Sequence, residues 1–131
     1  MTRDPACPFC SPENERVAHR SEHGLVVIDP FPVSPGHLLV VPRRHVASFF
    51  DLDRLEQADL LDLVMTARGL AAADREPDGF NIGLNDGRAA GQTVMHCHWH
   101  VIPRYDGDVD DPRGGVRWVV PQRAAYWDRQ G

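Results

Sequence analysis

Three histidines that alternate with other residues constrain this chain more than any other feature. They are His96, His98 and His100. Side chains two residues apart on a β-strand point to the same face, about 6–7 Å from each other, whereas a helix would scatter them. The pattern therefore predicts a strand that presents three imidazoles on one face and buries Cys97, Trp99 and Val101 behind it.

The residues that flank the histidines form a longer motif. Asn85-Asp86-Gly87 precedes it, and Gly91 to Arg104 reads Gly-Gln-Thr-Val-x-His-x-His-x-His-Val-Ile-Pro-Arg. This motif resembles the active-site signature of the histidine-triad (HIT) superfamily of nucleotide hydrolases and transferases, and the resemblance covers residues 18–106. It implies an α+β HIT fold with an antiparallel sheet of about five strands, one long and one short helix, and pairing into a homodimer.

The resemblance also implies a covalent mechanism centred on the middle histidine. A neutral imidazole is a good nucleophile at pH 7 when one ring nitrogen is free and the N–H of the other is held by an acceptor. His98 has neighbours on both sides that can fix its tautomer. Its attack on the α-phosphorus of a nucleotide would give a covalent nucleotidyl-histidine, which water or another acceptor then cleaves.

Four positions near the nucleophile could stabilise the phosphoryl group. Negative charge that develops on phosphoryl oxygens needs hydrogen-bond donors already in place. The available donors are the side chains of Gln92, Thr93 and His100 and the backbone N–H groups of the turn at Gly91. The glycine-rich loop before them has no P-loop lysine and does not open a helix, which excludes a Walker-type phosphate site.

The resemblance assigns further nucleotide contacts upstream of the triad. The block Pro35-Gly36-His37-Leu38-Leu39-Val40 is similar to a second fixed segment of the family. By that likeness, Asp29 contacts the ribose and His37 lies beside the triad. Asn85 resembles the polar residue that supports the ribose or the phosphate.

A Cys-x-x-Cys pair near the N-terminus is a weak signal by itself. Cys7 and Cys10 could be a redox pair, half of a zinc site or an accident, although no thioredoxin-like βαβ pattern follows them. Zinc-bearing HIT proteins have such a knuckle, completed by a histidine after a proline-basic-basic turn and by the first triad histidine. His45 follows Pro42-Arg43-Arg44, so the resemblance implies a structural zinc on Cys7, Cys10, His45 and His96.

A catalytic zinc held by the triad itself is the rival interpretation. Three histidines spread along one strand lie too far apart to share a single tetrahedral ion easily. That argues that one triad histidine is a zinc ligand and that the other two imidazoles do not bind the metal. No organic cofactor is expected.

Apolar stretches bounded by turn residues predict four more strands: Val17–Ser21, Gly24–Asp29, His37–Pro42 and Phe80–Asn85. Asp53 with Glu56 predicts a capping box and a helix over residues 53–74. The expected apolar stripe of this helix, which is primarily core and secondarily a dimer surface, contains Leu55, Ala58, Leu61, Val64 or Met65, and Ala71.

The two ends of the chain are expected to be an arm and a tail. Residues 1–16 form the zinc-binding arm and residues 105–131 an acidic, loop-rich tail, both within one domain of residues 1–131. In the tail, Val116–Pro121 predicts an edge strand and Ala124–Arg129 a last helical turn.

Composition limits the classes of function. The net charge is −5, and all basic residues are arginine, so neither a nucleic-acid partner nor a lysine nucleophile is expected. No apolar run approaches the ~20 residues of a membrane span, and no signal pattern opens the chain. Three cysteines without a leader indicate the reduced cytoplasm.

Together these features predict a nucleotidyl hydrolase that cleaves nucleoside or dinucleoside polyphosphates, with adenine as the expected base. Histidine at position 100, where uridylyltransferases of the superfamily have glutamine, favours hydrolysis over transfer. The triad flanks resemble the fragile-histidine-triad branch, although that branch lacks the cysteine arm and has glutamine where Asn85 stands. A purine nucleoside phosphoramidase and a nucleotide-binding regulatory module remain open alternatives. A zinc-knuckle nucleic-acid binder is disfavoured by the acidic charge.

Overall fold

A five-stranded antiparallel sheet organises the chain in the computed structural model, which describes residues 3–128. The strands are β1 (Val17–Arg20), β2 (Gly24–Ile28), β3 (Leu38–Pro42), β4 (Gly79–Leu84) and β5 (Trp99–Arg104). Their order in the sheet is β1-β2-β3-β5-β4. The α+β fold and all five predicted strands are therefore confirmed, with shifts of only a residue or two except at β5.

One long helix, α1 (Arg54–Ala72), packs on the sheet against β2, β3 and β5. Its N-terminus is the predicted capping box. The backbone N–H of Glu56 donates to Asp53 Oδ1 at 2.8 Å, and that of Asp53 donates to Glu56 Oε1 at 3.0 Å. Arg44 pairs with Glu56 at 2.7 Å, and this hydrogen bond lowers the pKa of Glu56 to about 2. The helix start is fixed by local chemistry, as the sequence indicates.

The buried stripe of α1 differs from the predicted one. Its buried apolar residues are Leu60, Leu63, Ala67 and Ala71. Leu55, Leu61 and Met65 point outward, with exposed fractions of 74%, 46% and 67%. Of the predicted positions only Ala71 is fully buried. Because leucines lie on several sides of the helix, the sequence is compatible with two different buried faces. Contact with the sheet determines which face is buried.

Both faces of the central strands are buried, which explains why β3 is a continuous apolar run. Under α1 lie Val26, Val40 and Val101, each with no exposed surface. On the opposite face Val27, Leu39 and Val41 pack against Phe9 of the N-terminal arm. The arm therefore covers the sheet where no helix does.

The tail departs from the prediction. Residues Gly115–Val119 form a 3-10 helix rather than an edge strand. It is followed by the short helix α2 (Pro121–Ala124) and a 3-10 turn at Tyr126–Asp128, so helical structure is present, while Arg129 lies outside the described residues. Gly114 and Gly115 have φ of +95° and +48°, which turns the chain away from an extended path.

Aromatic contacts hold this tail together. The Trp118 indole N–H donates to the carbonyl of Arg113 at 2.8 Å, and the Arg113 guanidinium lies 4.5 Å from the Trp127 ring centroid. These local contacts replace the strand pairing that the apolar run suggested. Between residues 3 and 128, no helix has the length and apolar character needed to cross a membrane.

Candidate active site and metal cluster

The triad does not lie on one continuous strand. Strand β5 begins at Trp99, so His100 belongs to it, while His96 and His98 precede it in unpaired backbone. The backbone N–H of Cys97 donates to the Val46 carbonyl at 2.7 Å instead of to a neighbouring strand. Because loop contacts replace the ladder here, the predicted strand is wrong before Trp99. The predicted alternation nevertheless holds: Cys97, Trp99 and Val101 pack into the core under α1, while Phe9 contacts His96 and His98 on the opposite face.

His98 is held by one ring nitrogen, and the other has no hydrogen-bond partner in the part of the chain that the structure describes. Its Nδ1 lies 2.8 Å from the carbonyl oxygen of His96. A carbonyl only accepts, so Nδ1 carries the proton and Nε2 has an unshared pair. The ring is flanked by Phe9 and His100, with ring centroids 5.0 Å and 5.2 Å away. This is the arrangement that makes a neutral imidazole nucleophilic.

His100 is held in the opposite tautomer by a chain of hydrogen bonds. The backbone N–H of Val33 donates to His37 Nδ1 at 3.1 Å, so the proton of a neutral His37 is on Nε2. That Nε2 lies 3.0 Å from His100 Nδ1, which therefore accepts. His100 then carries its proton on Nε2 and is a donor. Burial, followed by the nearby His98 and His37, lowers the pKa of His100 to about 4, so it is neutral at pH 7.

Asp29 joins this chain from the loop after β2. Its Oδ2 lies 3.3 Å from His37 Nε2, and its Oδ1 accepts the backbone N–H of Phe31 at 2.8 Å. Burial lowers the pKa of His37, while the charge of Asp29 acts in the other direction. The three ligand-type atoms of Asp29, His37 and His100 also lie within 4.8 Å of one another. Because the proton on His37 Nε2 lies between His100 Nδ1 and Asp29 Oδ2, hydrogen bonding explains these short distances without a metal ion.

The Gln92 side chain is turned away from the triad and into the loop. Its Oε1 accepts the backbone N–H of Gly87 at 2.8 Å, and its Nε2 donates to the carbonyls of Ala47 and Val94 at 2.8 and 3.1 Å. Both amide hydrogens are therefore engaged within the protein, and Gln92 is buried. In this conformation it has no N–H left for a phosphoryl oxygen.

The other two predicted positions of this loop, Gly91 and Thr93, differ in what they can donate. Gly91 and Thr93 are both exposed. Gly91 has φ of +96°, in the left-handed region that favours glycine. The backbone N–H groups of Gly91 and Gln92 already donate to the carbonyls of Arg88 and Gly87, at 3.0 and 3.1 Å. The exposed Thr93 is therefore the donor that this loop can still present, with Gln92 supporting the shape of the loop.

Four side chains from three parts of the chain form a compact cluster. They are Cys7, Cys10, His45 and His96. His96 Nδ1 lies 3.5 Å from Cys7 Sγ, 3.6 Å from Cys10 Sγ and 3.1 Å from His45 Nδ1. A tetrahedral zinc with bonds of ~2.1 Å to nitrogen and ~2.3 Å to sulfur separates its ligands by about 3.3–3.8 Å. The cluster can hold a metal ion of this kind.

The protonation of these side chains supports that fit. His96 Nε2 donates to the Pro42 carbonyl at 2.8 Å, which leaves Nδ1 unprotonated, and burial lowers the pKa of His96 to about 4. Backbone N–H groups of Phe9 and Asp4 donate to Cys7 Sγ and Cys10 Sγ at 3.4 and 3.3 Å. The lone pair of His96 Nδ1 and the two sulfur atoms that accept backbone hydrogen bonds are ligands suited to a borderline-soft cation such as zinc.

Two clefts flank the histidines. The arm cleft, of about 280 Å³, is lined by Phe9, Val27, Ile28 and Pro30 among others. The tail cleft, of about 320 Å³, is lined by His37, Asn85, His100, Val116 and Val119 among others. Asn85 lines the tail cleft, whereas Asp29 lies in sequence between Ile28 and Pro30 of the arm cleft and contacts His37, which lines the tail cleft.

Sequence reasoning missed Phe9, Val116 and Val119. Phe9 stands between the two cysteines, so a metal knuckle beside the first triad histidine could have placed its ring near the second. Nothing in the tail sequence indicated that its valines return to the triad. The predicted edge strand would have placed them along a sheet edge instead.

The sequence profile that describes the HIT domain matches residues 12–107. The chain belongs to the HIT domain family. An AP-4-A phosphorylase of Mycobacterium tuberculosis (strain ATCC 25618 / H37Rv) is 39% identical over 96% of this chain and 72% of that protein. An uncharacterized HIT-like protein of Methanocaldococcus jannaschii is 37% identical over 78% of this chain and 81% of its own.

Solved structures agree with the family assignment. The crystal structure of a HIT family protein from Bacillus anthracis has a TM-score of 0.72, with 33% identity, over 79% of this chain and 77% of that one. The crystal structure of a Zn-bound histidine triad family protein from Mycobacterium smegmatis has a TM-score of 0.70, with 34% identity, over 79% and 78%. Both identities are high enough to support kinship as well as a shared fold.

Proposed function

We propose that this protein is a nucleotidyl hydrolase that cleaves dinucleoside polyphosphates at the α-phosphorus. The observation that carries the proposal is the His98 tautomer: Nδ1–H is held 2.8 Å from the His96 carbonyl and Nε2 is free. In the first step the Nε2 electron pair forms a P–N bond and the bond to the bridging oxygen breaks. The departing polyphosphate takes that electron pair. Water then attacks the phosphorus and the P–N bond breaks, which restores the imidazole.

The neighbouring groups have separate roles in this proposal. His100, protonated on Nε2, donates a hydrogen bond to the phosphoryl or bridging oxygen as charge develops there. The Thr93 hydroxyl acts on the same oxygens. Gln92 is a positioning residue for their loop. Asp29 binds the ribose and the base enters the arm cleft, where the Phe9 ring lies beside Val27 and Pro30.

We also propose that the four-residue cluster holds one structural zinc ion. The short separations within the cluster and the Zn-bound relative from Mycobacterium smegmatis support this assignment. The ion supplies no step of the reaction. Its ligands fix the arm on the sheet, and therefore fix Phe9 next to His98.

A homodimer in the cytoplasm completes the proposal. The outward Leu61 and Met65 on α1 provide apolar surface for a second copy. All three cysteines are free, which agrees with a reducing compartment.

Phosphorolysis is the second candidate, favoured by the similarity to the AP-4-A phosphorylase. Both reactions share the proposed His98 adduct and differ only in the acceptor. Diadenosine tetraphosphate plus water gives AMP and ATP, whereas the same substrate plus inorganic phosphate gives ADP and ATP.

We expect chromatography of the nucleotide products to show AMP with ATP when phosphate is absent. ADP that replaces AMP as phosphate is added would assign the phosphorylase activity instead. A parallel sample with adenosine phosphoramidate tests the phosphoramidase alternative. Tight nucleotide binding without cleavage of either substrate would contradict the enzyme proposal and identify a regulatory module.

A further inference from the structure

The tail cleft lies on the same face of the sheet as the arm cleft, on the far side of His100. The strand register places Val27 opposite Leu39, Leu39 opposite His100, and His100 opposite Gly83. These four residues form one row across β2, β3, β5 and β4. Strands are ~4.8 Å apart. Val27 of the arm cleft is thus about 10 Å to one side of His100, and Gly83 of the tail cleft about 5 Å to the other side.

The lining of the tail cleft has the chemistry of a nucleoside site. Its walls are apolar, with Ile82, Ile102, Val116 and Val119 among them. The Asn85 amide offers a donor and an acceptor, whereas the side-chain oxygen of Asn81 already accepts from Arg104. The only ionisable residues among the described ones that line it are His37 and His100, and burial lowers the pKa of both imidazoles. The cleft therefore suits a neutral heterocycle with its ribose rather than a phosphate chain.

The adjoining, larger cleft does not offer a free cation. Arg104 lines it, but the guanidinium donates to both oxygens of Asp108, at 2.8 and 2.7 Å, and to Asn81 at 2.7 Å. Arg104 therefore binds the tail through Asp108 and is not available to a ligand. The tail, through Val116 and Val119, closes one side of the tail cleft.

We propose that the tail cleft binds the second nucleoside of a dinucleoside polyphosphate, the one that leaves with the polyphosphate. The inference rests on the proposed function and deepens it. One nucleoside occupies the arm cleft, the α-phosphorus faces His98, and the remaining phosphates pass His100 to the tail cleft. Val116 and Val119 lie beyond the residues 12–107 that match the family profile, so the tail gives this chain its own preference for the leaving group.

Gly83 provides a selective way to block the site. A Cβ built on Gly83 has no atom within 4 Å, so a side chain there projects into the cleft without disturbing the fold. Gly79, on the same strand, also has open space at its Cβ and lines neither cleft. Valine is well accepted in strands. Gly79→Val is therefore the matched control for Gly83→Val.

The test measures binding by calorimetry, with a diadenosine tetraphosphate analogue whose bridging oxygens are replaced by methylenes, and with AMP. Gly83→Val should weaken binding of the analogue by about tenfold or more, the scale on which a pocket excludes a group that does not fit. AMP binding should change by less than about threefold, because AMP needs only the arm cleft. Gly79→Val should leave both affinities unchanged.

A second pair of variants probes the tail directly. Val116 and Val119 are 66% and 78% exposed, so their truncation does not affect the core. Val116→Ala with Val119→Ala should also weaken the analogue selectively. Val120→Ala, at a half-exposed position that lines neither cleft, should not.

Each other outcome has a defined meaning. Equal weakening of both ligands, or no change in either, would overturn the second-nucleoside site. Loss of dimer mass by light scattering in Gly83→Val alone would show that the cleft is an interface between copies, which also overturns it. Failure of the wild type to bind either ligand overturns both proposals. Selective binding of the analogue without cleavage of the natural compound would refute only the hydrolase.

Discussion

His98→Ala is expected to abolish turnover while nucleotide binding remains. The variant removes the triad imidazole whose Nε2 is unprotonated and lies next to the proposed phosphorus position. Loss of a covalent nucleophile typically lowers kcat on the order of 10⁴-fold or more. Among residues 3–128 the ring makes one hydrogen bond, to a backbone carbonyl, and it is not one of the proposed zinc ligands. Steady-state kinetics with diadenosine tetraphosphate, together with calorimetry for AMP, should therefore separate chemistry from binding.

The control for this experiment is another histidine of the same chain. His19 is exposed on β1 and lies outside the site, so His19→Ala should retain full activity. If His98→Ala keeps more than a few per cent of kcat, His98 is not the nucleophile. Loss of AMP binding in parallel with kcat would instead assign His98 to ground-state contacts.

His96→Ala should fail in a different way from His98→Ala, although the two residues are neighbours on the same segment. His96 is completely buried, donates to Pro42 and directs its other nitrogen into the four-residue cluster. Its loss should remove the zinc and destabilise the protein together, because the binding energy of a structural ion is coupled to folding. We expect a loss of several kcal/mol, or a decrease of about 10 °C or more in Tm.

Elemental analysis and thermal melting measure this difference. His98→Ala should contain as much zinc as the wild type. Cys10→Ala should lose zinc as His96→Ala does. The matched control is Cys97→Ala, since Cys97 is a buried thiol outside the cluster, whose burial raises its pKa to about 12. Loss of zinc from His98→Ala would mean that the ion is catalytic. Retention of zinc by His96→Ala would place the fourth ligand elsewhere.

The parts of the fold that local chemistry determines could be predicted. Asp53 and Glu56 specify the start of α1 by two hydrogen bonds within four residues, and prolines and glycines mark the ends of the strands. The buried phase of α1 could not be predicted, because leucines lie on several sides of the helix. Only contact with β2, β3 and β5 decides that Leu60 is buried and Leu61 exposed.

The site likewise has features that the local sequence predicts and others that depend on long-range contacts. The alternating histidines indicated the triad, but an extended backbone does not need a strand partner, and the carbonyls of Val46 and His96 take hydrogen bonds that the sequence pattern does not reveal. The bonds of Gln92 to Gly87 and Ala47 depend likewise on long-range placement. The valines of the tail predict a strand, whereas Trp118 and the glycines at 114 and 115 favour the helical turns that the structure has.

The most direct test of the central claim is to trap the adduct on His98. Radiolabelled diadenosine tetraphosphate is mixed with the protein and the reaction is quenched during turnover, in acid or in alkali. A P–N bond to histidine is labile in acid and stable in alkali, so the label should stay with the protein only after the alkaline quench. It should be absent from His98→Ala and present in His19→Ala. No protein-bound label under either condition, together with inversion of configuration at a chiral α-phosphorus, would contradict the two-step mechanism.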